Sequence, residues 1–196
     1  MKLNELIKNF SIKDEKDLFN FFKENKFEWG MVIDGKKENN IGPKTYSKHW
    51  TLIDPEKIIE DKIAICWDYA NLEKSIFDKL GLRSNIYYLV FDDDIENNPS
   101  HCFTILEREN NVVLFEYSFR QNANIYVEKH IEDIFKMIIN WCYNNFDYLR
   151  DKDVTVYKFT DIFQKDIDAK ELLNLAKNQE IVFVKSFNDR NNLNTY

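Results

Sequence analysis

Three residues of this 196-residue chain could together carry nucleophilic chemistry: Cys66, His101 and Glu116. Cys66 opens the stretch CWDYANLEKSIFDKLGL, around which Ile65, Tyr69, Leu72, Ile76 and Leu80 recur at steps of 4, 3, 4 and 4. That period predicts an amphipathic helix, with Gly81 as its stop. The thiol then lies in the first turn, where unpaired N–H groups and the helix dipole favour the thiolate. The backbone N–H of Cys66 is also placed to help bind an oxyanion. A thiolate nucleophile needs a base, and the base needs a group to orient it. His101 opens a strand in NPSHCFTILE. Glu116 lies in the apolar strand VVLFEYSF, where a carboxylate is out of place unless something uses it.

Register ties the last two together. A hairpin closed at 108–111 pairs residues whose numbers sum to 219, so His101 faces Ser118 and Glu116 faces Phe103. All four then share one sheet face. His101 and Glu116 become diagonal neighbours, roughly 7–8 Å apart at the backbone, within reach of a glutamate. A slip of one residue would send them to opposite faces. Each residue also has a plainer reading. Cys66 fits as a small buried hydrophobe, His101 as a structural histidine, and Glu116 as the partner of Arg108 or Arg120.

The elements that must position these residues follow from pattern and punctuation. Residues 14–25 read as a helix with Leu18, Phe19, Phe21 and Phe22 on its apolar face. Residues 30–50 hold three of the four glycines and read as a long loop, with room for a short strand at Met31 to Ile33. Asp54-Pro55 signals a helix start. After the Cys66 helix come strands at 85–91, 101–107, 112–119 and 124–127, a helix at 131–148, a strand at 154–159, a helix at 169–178 and a strand at 181–185. The end, NDRNNLNTY, reads as a loose tail. Helices followed mainly by consecutive strands predict an α+β fold, a central cysteine-bearing helix packed on an antiparallel sheet. The length, the absence of repeats and the absence of a Pro/Gly/Ser linker predict one domain over 1–196.

Composition narrows the function. A 44% hydrophobic share supports a real core and argues against disorder. A net charge of -7 with scattered basic residues argues against nucleic acid and against an anionic membrane surface. No apolar run approaches the ~20 residues of a membrane helix, and the N-terminal residues lack a signal peptide's pattern. Three unpaired cysteines fit reduced thiols, so a cytoplasmic setting is expected. Cys102 and Cys142 read as core, as does the stripe Phe135, Ile138, Ile139 and Cys142. A zinc site on Cys66, His101 and Cys102 falls short in ligand number. FDDDIENNP at 91–99 lacks the alternation of a calcium loop and reads as a solvated loop that could rim the cleft. No GxGxxG, P-loop or HExxH is present, so no cofactor is expected.

The three motifs AICWDYA, SHCFTILE and VLFEYSF resemble those of the transglutaminase-like superfamily, within the papain-like cysteine fold. The spacings, 35 positions from Cys66 to His101 and 15 from His101 to Glu116, are similar to that superfamily's core. The likeness covers about residues 50–128. The CWD and FEYS segments are also similar to a narrower group of uncharacterised bacterial and phage proteins. Two positions depart from the pattern: Glu116 stands where Asp is usual, and Ala64 near a common glycine. The resemblance implies a papain-like fold and a cysteine-dependent acyl transfer on an amide or peptide carbonyl of a protein or peptide substrate, through a thioester. Cys66 would be nucleophile, His101 base and then acid, and Glu116 the orienting group. It also implies a second oxyanion donor upstream, for which KTYSKHW offers Tyr46, His49 and Trp50. A surface loop with Trp50 packed inward is the plainer reading of that segment. The alternative function is a protein-binding module that keeps the fold without activity.

Overall fold

In the computed structural model, which describes residues 1–163 and 166–186, helices cover both faces of one sheet. The chain begins with helices α1 (Leu3–Asn9) and α2 (Glu15–Glu24), the second capped by the Asp14 side chain. Short strands β1 (Glu28–Trp29), β2 (Met31–Ile33) and β3 (Lys36–Glu38) follow, then helices α3 (Pro43–His49) and α4 (Pro55–Asp61). Strand β4 (Ile63–Ala64) leads directly into helix α5 (Cys66–Lys79). Strands β5 (Ser84–Phe91), β6 (His101–Glu107), β7 (Val112–Glu116) and β8 (Asn124–Glu128) come next. Helix α6 (Ile131–Asn145), strand β9 (Val154–Phe159), helix α7 (Ala169–Ala176) and strand β10 (Glu180–Lys185) complete the described chain. The main sheet has six strands in the order β10-β9-β5-β6-β7-β8, antiparallel throughout. The α+β class is therefore as expected, whereas NDRNNLNTY lies outside the described residues.

Two start and stop signals work as the sequence suggests. The Asp54 carboxylate accepts from the Glu56 N–H, and Pro55 takes the first position of α4. At the end of α5, Gly81 adopts φ +71°, and the Gly81 and Leu82 N–H groups bond back to Asp78 and Phe77. That Schellman arrangement satisfies orphan carbonyls and needs a left-handed residue, which glycine supplies without a Cβ penalty.

Three expectations need correction. Residues 30–50 are not a long loop. They form the β2–β3 hairpin and helix α3, whose start Gly42-Pro43 is a helix signal. The strand over 112–119 stops at Glu116, because its carboxylate takes the Phe119 N–H at 2.7 Å and the Ser118 hydroxyl at 3.0 Å, turning the chain out of the ladder. The helix expected to run to Tyr148 ends at Asn145, and a 3-10 turn spans Asp147–Asp151.

Helix α5 also departs from a simple amphipathic pattern. Every residue from Cys66 to Phe77 is buried. Tyr69, Leu72, Ile76 and Phe77 join a core with α1, α2 and α4, while Cys66, Trp67 and Ala70 pack with Cys102, Tyr88 and α7. The helix is enclosed, so its polar residues must find partners inside. Asn71 accepts from the Phe163 N–H, Thr104 donates to Glu73 at 2.7 Å, and Lys74 reaches Asp78 and the Ser84 carbonyl. Helix α6 covers the opposite face, where Phe135, Ile138, Ile139 and Cys142 pack on Phe103, Ile105 and Leu114.

Candidate active site

The thiol sits where chain geometry aims a helix at the sheet's end. Strand β4 pairs in parallel with β1, Ala64 opposite Trp29, and the Gly30 N–H bonds to the Ala64 carbonyl at 3.0 Å. This pins Ile63 and Ala64, Ile65 becomes the N-cap, and Cys66 is the first residue of α5. Asp68 then ties the start of the helix down. It is fully buried and accepts from the Trp50 indole N–H at 3.0 Å, the Ile53 N–H at 3.0 Å and the Ile65 N–H at 3.4 Å. Burial pushes its carboxyl up to about 7, against those three donors, which hold it down. The sequence offered a signal for Asp68: an acid at the third position of a helix, inside an otherwise apolar run.

The hairpin has the expected register. Thr104 pairs with Phe115 and Glu107 with Val112, each pair summing to 219, and the Arg108 N–H bonds to the Asn111 carbonyl across the turn. His101 and Glu116 consequently meet, with His101 Nε2 2.6 Å from Glu116 Oε2. Both are buried. The other Glu116 oxygen is held by Ser118 and Phe119, so the carboxylate cannot swing away from the ring. Phe103 stacks on the imidazole at 5.7 Å, and Phe119 meets its face edge-on at 5.5 Å. The arginines weighed as alternative partners go elsewhere: Arg108 pairs with Glu15, and Arg120 donates to the Trp29 carbonyl.

Cys66 and His101 line the same cleft, of about 310 Å³. The Cys66 Sγ lies 4.0 Å from the carbonyl of Ser100, the residue before His101. Glu116 occupies Nε2, which leaves Nδ1 as the ring nitrogen for the thiol. Burial opposes a charge on His101, but the Glu116 carboxylate outweighs it, with Cys66 adding to the effect. The imidazole is pushed up to about 10, so the imidazolium form is favoured at neutral pH. Burial drives Cys102 well above the ordinary thiol range and Cys142 up to about 12. Cys102 and Cys142 are core as expected: Cys102 packs with Cys66, Trp67 and Ala70 of α5, and Cys142 packs within the α6 core and also lines the cleft.

The structure also separates the three upstream candidates. Trp50 is buried and spends its N–H on Asp68, and His49 is exposed and outside the cleft. Tyr46, on α3, lines the cleft, and its buried hydroxyl has no hydrogen-bond partner of ordinary geometry. Burial raises its pKa far above the usual phenol range, with Cys66 acting on it in the same direction. The Trp67 indole N–H is a second buried, unpartnered donor on the same wall. Trp29, on β1, lines the same cleft as Cys66 and carried no sequence signal.

Asp92, Asp93 and Asp94 do not rim the cleft. Lys152 and the Asp153 N–H take Asp92, Tyr157 and Lys177 take Asp93, and Asp94 closes its own turn through Glu96 and Asn97. No group of three or more metal-ligating side chains occurs among the described residues. No helix among them is long and apolar enough to cross a membrane. No protein-family model matches the chain, and neither does any curated protein or solved structure.

Proposed function

We propose that this protein is a cysteine-dependent acyl-transfer enzyme of papain-like, transglutaminase-like architecture. It would act on an amide or peptide carbonyl. The observation that carries the reading is the 2.6 Å contact of buried His101 with Glu116, in the cleft that Cys66 also lines. The Cys66 thiolate attacks the carbonyl carbon, and the carbonyl's electron pair moves to oxygen. The Cys66 N–H and the Tyr46 hydroxyl receive that oxyanion. Collapse expels the amine, which takes its proton from the His101 imidazolium, and a thioester remains. Water then attacks the thioester and gives a proton to His101, and the carboxylic product leaves as the thiolate is restored. Glu116 fixes the ring throughout and stabilises its charged form. Water is the default acceptor because no feature among the described residues marks a site for an acceptor amine. A reducing setting such as the cytoplasm would keep the thiol free.

Thiol reactivity tests the reading. Iodoacetamide is expected to modify Cys66 well below pH 8, ahead of Cys102 and Cys142, as read by peptide mass spectrometry. Slow and equal modification of all three would remove the enzyme reading and leave a fold suited only to binding. Tyr46 has its own test, because alkylation makes no oxyanion and acylation does. Tyr46→Phe should slow acylation of Cys66 by para-nitrophenyl acetate by about 100-fold, while iodoacetamide modification keeps its rate. Equal effects on both reactions would show that Tyr46 only supports packing.

A further inference from the structure

The walls of the Cys66 cleft carry a charge pattern unlike the rest of the molecule. The chain has 34 acidic residues, yet among the described residues no aspartate or glutamate lines this cleft. Its walls are mainly apolar, with Trp29, Ile41, Tyr46, Trp67, Phe119 and Phe146 as the large side chains. Among the described residues, one side chain there besides His101 carries a positive charge, Arg120. Arg120 follows the Glu116–Phe119 turn, so the turn that orients the imidazole also brings Arg120 to the cleft wall, where it borders a neighbouring pocket lined by Glu28 as well.

Arg120 is unusual among the arginines described. Arg83, Arg108 and Arg150 each pair with a carboxylate. Arg120 is exposed and donates from one nitrogen to the Trp29 carbonyl at 3.2 Å, and no carboxylate among the described residues pairs with it. A guanidinium has five donors in a planar fork suited to a carboxylate, so most of its capacity stays open. A volume of about 310 Å³ is at the small end of ligand sites, which run about 300–1,000 Å³. It suits one large group rather than a long segment.

We infer that the cleft takes a substrate bearing a large apolar or aromatic group beside the reacting carbonyl and a carboxylate that reaches Arg120. This rests on the reading of Cys66 as nucleophile and narrows its substrate to acidic, apolar acyl compounds, such as amides of acidic aromatic acyl groups. Apolar walls supply burial without a competing acid, and the single open guanidinium supplies direction.

Alkylating probes test this without a known substrate, since the thiolate displaces iodide whatever group the probe carries. The pair is N-phenyl iodoacetamide and para-(iodoacetamido)benzoate, which differ by one carboxylate. Rates of Cys66 modification are measured by mass spectrometry, divided by those of glutathione, and expressed relative to plain iodoacetamide on the same variant. The benzoate should outrun the neutral phenyl probe by about tenfold on the unmodified protein. Arg120→Gln should abolish that preference, and Arg120→Lys should restore part of it. Both aromatic probes should outrun plain iodoacetamide. A flat ratio between the two aromatic probes, or a preference that survives Arg120→Gln, overturns the inference. If plain iodoacetamide itself fails to favour Cys66, the nucleophile reading falls, and this inference falls with it. If Cys66 is favoured and only the ratio is flat, the substrate class alone is wrong.

Discussion

Replacing His101 with alanine is expected to slow iodoacetamide modification of Cys66 by about 100-fold near neutral pH, the scale of a lost general base. The thiol keeps its place at the start of α5, so what changes is the proton acceptor. Stopped-time mass spectrometry across pH gives the second half of the test. In the unmodified protein the imidazolium persists because the buried Glu116 carboxylate and Cys66 outweigh desolvation. Its folded pKa, about 10, lies above its ordinary 6.5. A raised value means that the folded state binds the proton more tightly. The stabilisation is therefore complete below about pH 6.5 and is lost as the pH rises through about 10. Urea titrations should show this alkaline decline, and His101→Ala should flatten it. An unchanged modification rate in His101→Ala would separate the histidine from the thiol and remove it from the mechanism.

Asp68→Ala is expected to destabilise the fold by about 3 kcal/mol, because it strands buried donors at once. The Trp50 indole, the Ile53 N–H and the Ile65 N–H all converge on this one carboxylate. Two of them tie the residues before α4 to the first turn of α5, so the loss also loosens the seat of Cys66. Asp68→Asn is the sharper variant. It keeps the volume but turns an amide N–H toward a site that now needs only acceptors. Both variants should lower the urea midpoint and slow Cys66 modification together. A stability loss below about 0.5 kcal/mol in Asp68→Ala, the range of ordinary surface changes, would mean that water replaces the carboxylate and that the anchor is not structural.

Much of the candidate site was legible because its signals are local. The 108–111 turn and the alternation of the flanking strands determine the hairpin register, and the register puts His101 and Glu116 on one face. A glutamate amid VVLFEYSF was anomalous for a strand, and the anomaly has a physical use: one oxygen on His101, the other on the turn that ends the strand. Asp54-Pro55 and Gly81 marked helix ends through side-chain capping and left-handed backbone, effects of single residues.

Other features depend on what packs against what. Residues 30–50 looked irregular because a two-turn helix and a three-residue hairpin carry little periodicity of their own. Helix α3 within this segment puts Tyr46 in the wall of the Cys66 cleft, and no spacing in the sequence encodes that placement. The polar residues of α5 suggested an exposed face. Enclosure by the sheet, α1, α2, α4 and α7 buries them instead, and Asn71 and Glu73 meet partners remote in the chain. The amino-acid sequence by itself determined a thiol at a helix start and an imidazole–carboxylate pair on one strand face, because turns, caps and alternation act over a few residues. Tertiary structure alone decided that the helix start and that strand face open onto one cleft, with Tyr46 and Arg120 in its wall. Such contacts depend on long-range burial, and burial is a property of the whole packed chain.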